Sequence, residues 1–191
     1  GSIWRVGAKP VFVDCGTDSF NLDIEAIEAA ISPKTKAIMP VHLFGQCTAI
    51  EAIQAIAAQH NLTVIEDAAQ AIGANIDQKQ AGTFGDFGAF SFFPTKNLGG
   101  YGDSGLVTTQ NDDLASKARI LRVHGAEKRY FHEQVGGNFR IDALQAGLIR
   151  TRFKHLGTGG EARRHWANRY NNAFEKAGLN QKGPSQLTLP R

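Results

Sequence analysis

Short apolar runs rich in β-branched residues alternate along this chain with stretches whose apolar residues recur at helical spacing, and that alternation limits the possible fold. Pro10-Val11-Phe12-Val13-Asp14 reads as a strand, and Asp23 to Ile31 as a helix with Ile24, Ile27 and Ile31 on one face. Lys36 to Leu43 follows as a buried strand. Thr48 and Glu51 have the spacing of a capping box, opening a helix that turns Ile50, Ile53, Ile56 and Ala57 inward. Leu62 to Ile65, Phe87 to Phe93 and Gly105 to Thr109 complete the strands, and a helix is expected from about Asn111 to Arg122. Continuous apolar strands separated by amphipathic helices predict an α/β fold, a mostly parallel sheet flanked by helices on both faces. Ligands of such sheets gather at the carboxyl ends of the strands, where Asp14, His42 and Asp67 fall.

The later part of the chain is less periodic. His124 to Asn138 reads as a long functional loop. Ile141, Leu144 and Leu148 mark a helix through about His155, Gly157-Thr158-Gly159-Gly160 a break, and Glu161 to Ala177 another helix. The tail from Gly178 to Arg191 has no period and little structure is expected of it. At 191 residues, 42% hydrophobic and 20% charged, the chain suits one soluble domain with a sizeable core. Its net charge of +3 is scattered, and the basic cluster at Arg150, Arg152, Lys154, Arg163 and Arg164 reads as a solvated helix face, so no nucleic-acid partner is expected. No apolar run has the length of a membrane span, and no signal peptide follows Gly1-Ser2. Cys15 and Cys47 form no metal or redox spacing, which fits a reducing cytoplasm.

Several motifs are excluded by context. Gly100-Tyr101-Gly102-Asp103-Ser104-Gly105 matches the dinucleotide fingerprint by letter, but it precedes a strand where the fingerprint must follow one. His132-Glu133 begins like a zinc-protease pair, yet position 136 is glycine. Lys96, between an apolar run and a glycine-rich turn, is a candidate Schiff-base amine, because withdrawal from water favours the nucleophilic neutral form. Asp67, closing a strand, can supply the partner of a pyridinium nitrogen or can simply cap the turn that follows. Alternation along the strand sends its neighbour Glu66 to the opposite side.

The segments PVHLFGQ (40 to 46), VIEDAAQAIGA (64 to 74), GDFGAFSFFPTKNLGGYGDSG (85 to 105) and VGGNFRIDALQA (135 to 146) closely resemble the DegT/StrS-type nucleotide-sugar aminotransferases, a branch of the fold-type I pyridoxal 5'-phosphate (PLP) enzymes. That resemblance implies PLP as cofactor, with Lys96 holding it covalently and shuttling a proton, and Asp67 pairing with the ring nitrogen. Ala69 would lie flat against the ring, Gln70 would approach its phenolic oxygen, and Ser91 would bind the phosphate. In the family's G-x-N-x-R motif, Asn138 would reach the phosphate in a neighbouring subunit's site and Arg140 would receive the donor's carboxylate, so a homodimer with shared sites is implied. His42 would line the pocket. The implied reaction moves an amino group from glutamate to a keto group of a nucleotide-linked sugar; a non-catalytic oligomerising or regulatory remnant is the alternative. By the same resemblance, residues 1–156 are a PLP-binding large-domain core with an incomplete N-terminus. Residues 157–191 then begin a truncated small domain.

Overall fold

In the computed structural model, which describes residues 1–180 and 187–189, one helical turn, α1 (Ser2–Arg5), leads into an irregular stretch. Pro10 to Asp14, expected as a strand, has no ladder partner among the described residues, and Phe12 is 91% exposed. Apolar composition suits a strand, but a strand forms only where a neighbour takes up its backbone groups. Asp23 then caps α2 (Ile24–Ala30) through its Oδ1, which accepts the Glu25 N–H at 3.0 Å.

β1 (Ala37–Ile38) is far shorter than the strand expected over Lys36 to Leu43. Proline offers no N–H, so pairing past Pro40 is reduced to its carbonyl, which accepts the Asp67 N–H at 2.8 Å, and to an isolated bridge between Val41 and Asp67. A 3-10 turn over Leu43–Gly45 leads to α3 (Ile50–Gln59), which buries Ile50, Ile53 and Ala57. The capping box does not form: Ala49 occupies the cap position without a side-chain bond, and the buried Thr48 hydroxyl has no partner among the described residues. Thr48 is instead drawn to His42, whose Nδ1 accepts its N–H at 3.1 Å. The helix stops where Asn61 takes φ +52 and the Leu62 N–H returns to the Ala57 carbonyl at 2.8 Å, turning the chain into β2 (Thr63–Asp67).

A small hairpin of β3 (Asn75–Ile76) and β4 (Lys79–Gln80) follows, its turn residues Asp77 and Gln78 both at positive φ. Beyond it lie β5 (Phe87–Ser91), β6 (Gly105–Thr108) and α4 (Asp112–Leu121), the last capped by Asn111. The segment expected to be an irregular loop contains another hairpin, β7 (Ala126–Lys128) with β8 (Phe131–His132). α5 (Ala143–Phe153) is followed by α6 (Leu156–Lys176), which runs unbroken through Gly157-Thr158-Gly159-Gly160. None of those glycines takes a positive φ, so they only weaken the helix, by about 1 kcal/mol each relative to alanine. The tail expected to lack structure lies largely outside the described residues.

The main sheet has the order β1-β2-β5-β6, with β1, β2 and β5 parallel and β6 antiparallel. Its cover is unequal. Ile38 and Val64 face a core shared with Ile27 of α2 and with Ile50, Ile53 and Ala57 of α3. The opposite face carries Ile65, Asp67, Phe87, Ala89 and Ser91, all half-buried.

Close approach explains one glycine in the sheet. A Cβ on Gly88 would overlap the backbone of Gly82, whereas one on Gly147 in α5 would meet nothing within 4 Å. Gly88→Ala is therefore expected to destabilise by about 1–3 kcal/mol, and Gly147→Ala to stabilise by up to about 1 kcal/mol. Denaturant midpoints of the two variants check the opposite signs.

Candidate active site

Parallel strands finish on one edge, and β2 and β5 finish there with Asp67 and Ser91. Asp67 stands opposite Ala89, two residues before Ser91, so the strand period of two places Asp67, Ala89 and Ser91 on one face. Asp67 Oδ1 accepts the Ala69 N–H at 3.0 Å, a local turn bond that leaves its other oxygen without a partner among the described residues. Gln70 Oε1 accepts the Phe44 N–H at 2.9 Å, and its side-chain amide nitrogen has no acceptor among the described residues. Ser91 Oγ accepts the Phe93 N–H at 3.3 Å, so the hydroxyl proton is also available.

Lys96 lies in the connection between β5 and β6. The Phe92 N–H bonds the Ser104 carbonyl at 2.8 Å, the Gly100 N–H bonds the Phe92 carbonyl at 2.7 Å, and the Lys96 N–H bonds the Phe93 carbonyl at 2.9 Å. The lysine is half-buried, and its Nζ has no hydrogen-bond or ion-pair partner among the described residues. One side of α5 clamps this turn. Gln145 Oε1 accepts the Tyr101 N–H at 2.8 Å, Arg152 Nη1 donates to the Gly99 carbonyl at 2.6 Å, and Ile149 packs with Phe92 and Leu98.

Leu144, one of the residues whose spacing marks this helix, is 78% exposed, and Arg152 stays exposed, as expected of a solvated face, while one of its nitrogens reaches the Gly99 carbonyl. Gln145, Ile149 and Arg152 have i, i+4, i+7 spacing, a signal that hydrophobic periodicity passes over because two of the three are polar.

His42, expected to line the pocket, is fully buried and has both ring nitrogens engaged inside the protein. Its Nε2 meets Glu66 Oε2 at 2.8 Å while its Nδ1 accepts from Thr48, so no polar ring atom faces a ligand. Glu66, also fully buried, takes three further donors: the N–H of Gly82 at 2.7 Å, of Phe84 at 2.7 Å and of Gly85 at 2.6 Å. Burial alone would raise its carboxyl, but the bonds from His42 and the three backbone N–H groups outweigh it and hold the carboxyl below the usual range. Burial, and then the negative charge of Glu66, pushes the Cys47 thiol up.

Asn138 and Arg140 are exposed and bond each other, Arg140 Nε donating to Asn138 Oδ1 at 3.0 Å. Their segment is zipped to the end of α4, with the Phe139 N–H on the Arg122 carbonyl at 3.0 Å. No hydrogen bond or ion pair among the described residues joins either one to Asp67, Ser91 or Lys96. The strand edge thus presents a carboxylate and a hydroxyl on one face, with an amide in the turn after β2 and an unpartnered amine in the turn after β5. This set can grip a small anionic molecule, pair with a protonated ring nitrogen and form a covalent bond to a carbonyl carbon.

Known proteins match the chain over nearly all of it. The profile of the DegT/DnrJ/EryC1/StrS aminotransferase family covers residues 1–187. A protein named pleiotropic regulatory protein, from Geobacillus stearothermophilus, is 52% identical over 93% of this chain and 48% of its own length. The UDP-N-acetyl-3-dehydro-alpha-D-glucosamine 3-aminotransferase of Acidithiobacillus ferrooxidans is 50% identical over 88% of this chain and 46% of its own. Among solved structures, a DegT DnrJ EryC1 StrS aminotransferase from Brucella abortus superposes with a TM-score of 0.88 at 41% identity, over 91% of this chain and 49% of that one. NtdA from Bacillus subtilis with bound cofactor PMP superposes with a TM-score of 0.85 at 34% identity, over 93% and 41%. The chain spans about half the length of the curated relatives it matches.

Proposed function

Because the chain belongs to the DegT/DnrJ/EryC1/StrS aminotransferase family, we propose that it carries the cofactor-binding part of a PLP-dependent enzyme of amino-sugar or surface-polysaccharide synthesis. The reaction moves an amino group from glutamate to a keto group of a nucleotide-linked sugar. The shared strand edge carries this reading: Asp67 and Ser91 stand on one face of adjacent parallel strands, and the unpartnered amine of Lys96 lies in the turn that leaves β5. PLP, when bound, supplies an electron sink and an electrophilic carbon.

The residues present fit that group. Asp67 keeps one oxygen for the ring nitrogen, Gln70 keeps its amide N–H groups for the phenolic oxygen, and Ser91 keeps its hydroxyl proton for the phosphate. Ala69, half-buried beside Asp67, offers a methyl against the flat of the ring. Lys96 holds the cofactor through Nζ and, once released, carries a proton at the same atom. Asn138 and Arg140 act in a second copy's site, on phosphate and on the donor's carboxylate, which makes the working form a homodimer; their exposure and their distance in bonding from the strand edge support this.

A second, regulatory reading is favoured by the name of the Geobacillus stearothermophilus relative. One experiment separates the two. The purified chain is mixed with PLP, reduced with borohydride and mapped by peptide mass, while light scattering follows its assembly. Labelling concentrated on Lys96 in a dimer is the expected result, followed by amination of a nucleotide keto-sugar from a panel when glutamate is supplied. Labelling absent, or spread over exposed lysines, leaves the regulatory reading.

A further inference from the structure

We propose that His42 and Glu66 act as a positioning pair that fixes the aim of the Asp67 carboxylate, with the ring proton of His42 on Nε2; this rests on the cofactor reading of Asp67 given above.

The geometry is a clamp on one residue of β2. The backbone N–H of His42 donates to the Asp67 carbonyl at 3.0 Å, while its ring bonds the side chain of the preceding residue, Glu66, at 2.8 Å. The Asp67 N–H is tied to Pro40 at 2.8 Å, so residues 40 and 42 hold Asp67 at both backbone groups. Glu66 in turn is pinned by Gly82, Phe84 and Gly85. Side chains of neighbouring strand residues point in opposite directions, so any roll of β2 that turned Asp67 away would pull Glu66 from its donors. Thr48 fixes the tautomer, since its N–H needs the lone pair at Nδ1 and leaves the proton for Nε2. None of these atoms is accessible to a ligand, so the pair works through Asp67 and not by contact.

Two substitutions divide the ring's functions. His42→Gln keeps a donor where Nε2 lies, toward Glu66, and His42→Asn keeps an acceptor where Nδ1 lies, toward Thr48. The first readout needs no cofactor: exchange of the Ala69 amide proton, which reports its bond to Asp67 Oδ1. In His42→Asn this amide should exchange about tenfold faster than in wild type and PLP should bind about tenfold more weakly, because one charge-assisted bond is lost. His42→Gln should stay close to wild type in both, although both variants lower the thermal midpoint.

A packing role alone would make the two variants equal in both readouts, and that result overturns the proposal. Should His42→Asn fail to fold, imidazole nitrogen NMR of wild type and the behaviour of His42→Gln decide: a proton found on Nδ1, or a glutamine variant as defective in Ala69 exchange as an unfolded chain, sinks it. If wild type takes up no PLP yet the exchange pattern holds, the cofactor reading fails and the positioning survives. If PLP binds and the pattern is absent, only the positioning fails.

Discussion

Alanine at position 96 is expected to erase the site-specific borohydride labelling by PLP, leaving only the background on exposed lysines, while the fold stays intact. Only a primary amine can form the bond that borohydride fixes, and Lys96 is the amine that leaves the strand edge shared by Asp67 and Ser91. Its Nζ makes no bond to the rest of the protein among the described residues, so truncation removes no hydrogen bond or ion pair, only part of the packing of a half-buried stem, and stability should change by no more than about 1 kcal/mol. Lys96→Arg provides the matching control: the positive charge stays but the guanidinium is not a nucleophile, so labelling at position 96 should vanish there too. Peptide mass mapping and denaturant midpoints read the two effects separately. An alanine variant labelled as strongly as wild type would place the covalent chemistry elsewhere.

Glu66→Ala is expected to have the opposite signature, a large loss of stability. The substitution strands the N–H groups of Gly82, Phe84 and Gly85 and the Nε2–H of His42 in a site closed to water. Each buried donor left unsatisfied costs about 1–3 kcal/mol, so even the lower figure brings the sum to about 4 kcal/mol. That is comparable to the whole stability of many domains, about 5–15 kcal/mol. Acid should act on the same site. Because the folded carboxyl is held below its unfolded value, its contribution is present above the ordinary glutamate range near pH 4.3 and is lost as pH falls through the lower folded value. Denaturant stability of wild type should therefore fall more steeply with acidification than that of Glu66→Gln, and equal slopes would contradict the buried ionised carboxylate.

What was legible in the sequence was what apolar side chains announce by themselves. Ile24, Ile27 and Ile31, and Ile50, Ile53 and Ala57, meet in one core as their spacing predicts. The strand rule also separated Glu66 from Asp67, and the structure buries the first while leaving the second half-exposed. Features that depend on a distant partner were not legible. Pro10 to Asp14 has the residues of a strand and no neighbour among the described residues, and Thr48 has the letters of a cap but is engaged by His42. The contact of α5 with the turn that carries Lys96 relies on Gln145 and Arg152, whose targets are backbone groups that no hydropathy pattern records.

The antiparallel return of β6 makes strand alignment a ruler for the turn that carries Lys96. Ser91 faces Gly105 and Phe90 faces Leu106, so the hairpin that carries Lys96 is closed at a single fixed rung. Sliding one strand past the other by a residue would shift that closure by about 3.4 Å and invert which side every rung presents. An insertion or deletion between Phe92 and Ser104 is thus expected to displace Lys96 relative to Asp67 more than most substitutions there would, even with every side chain still present.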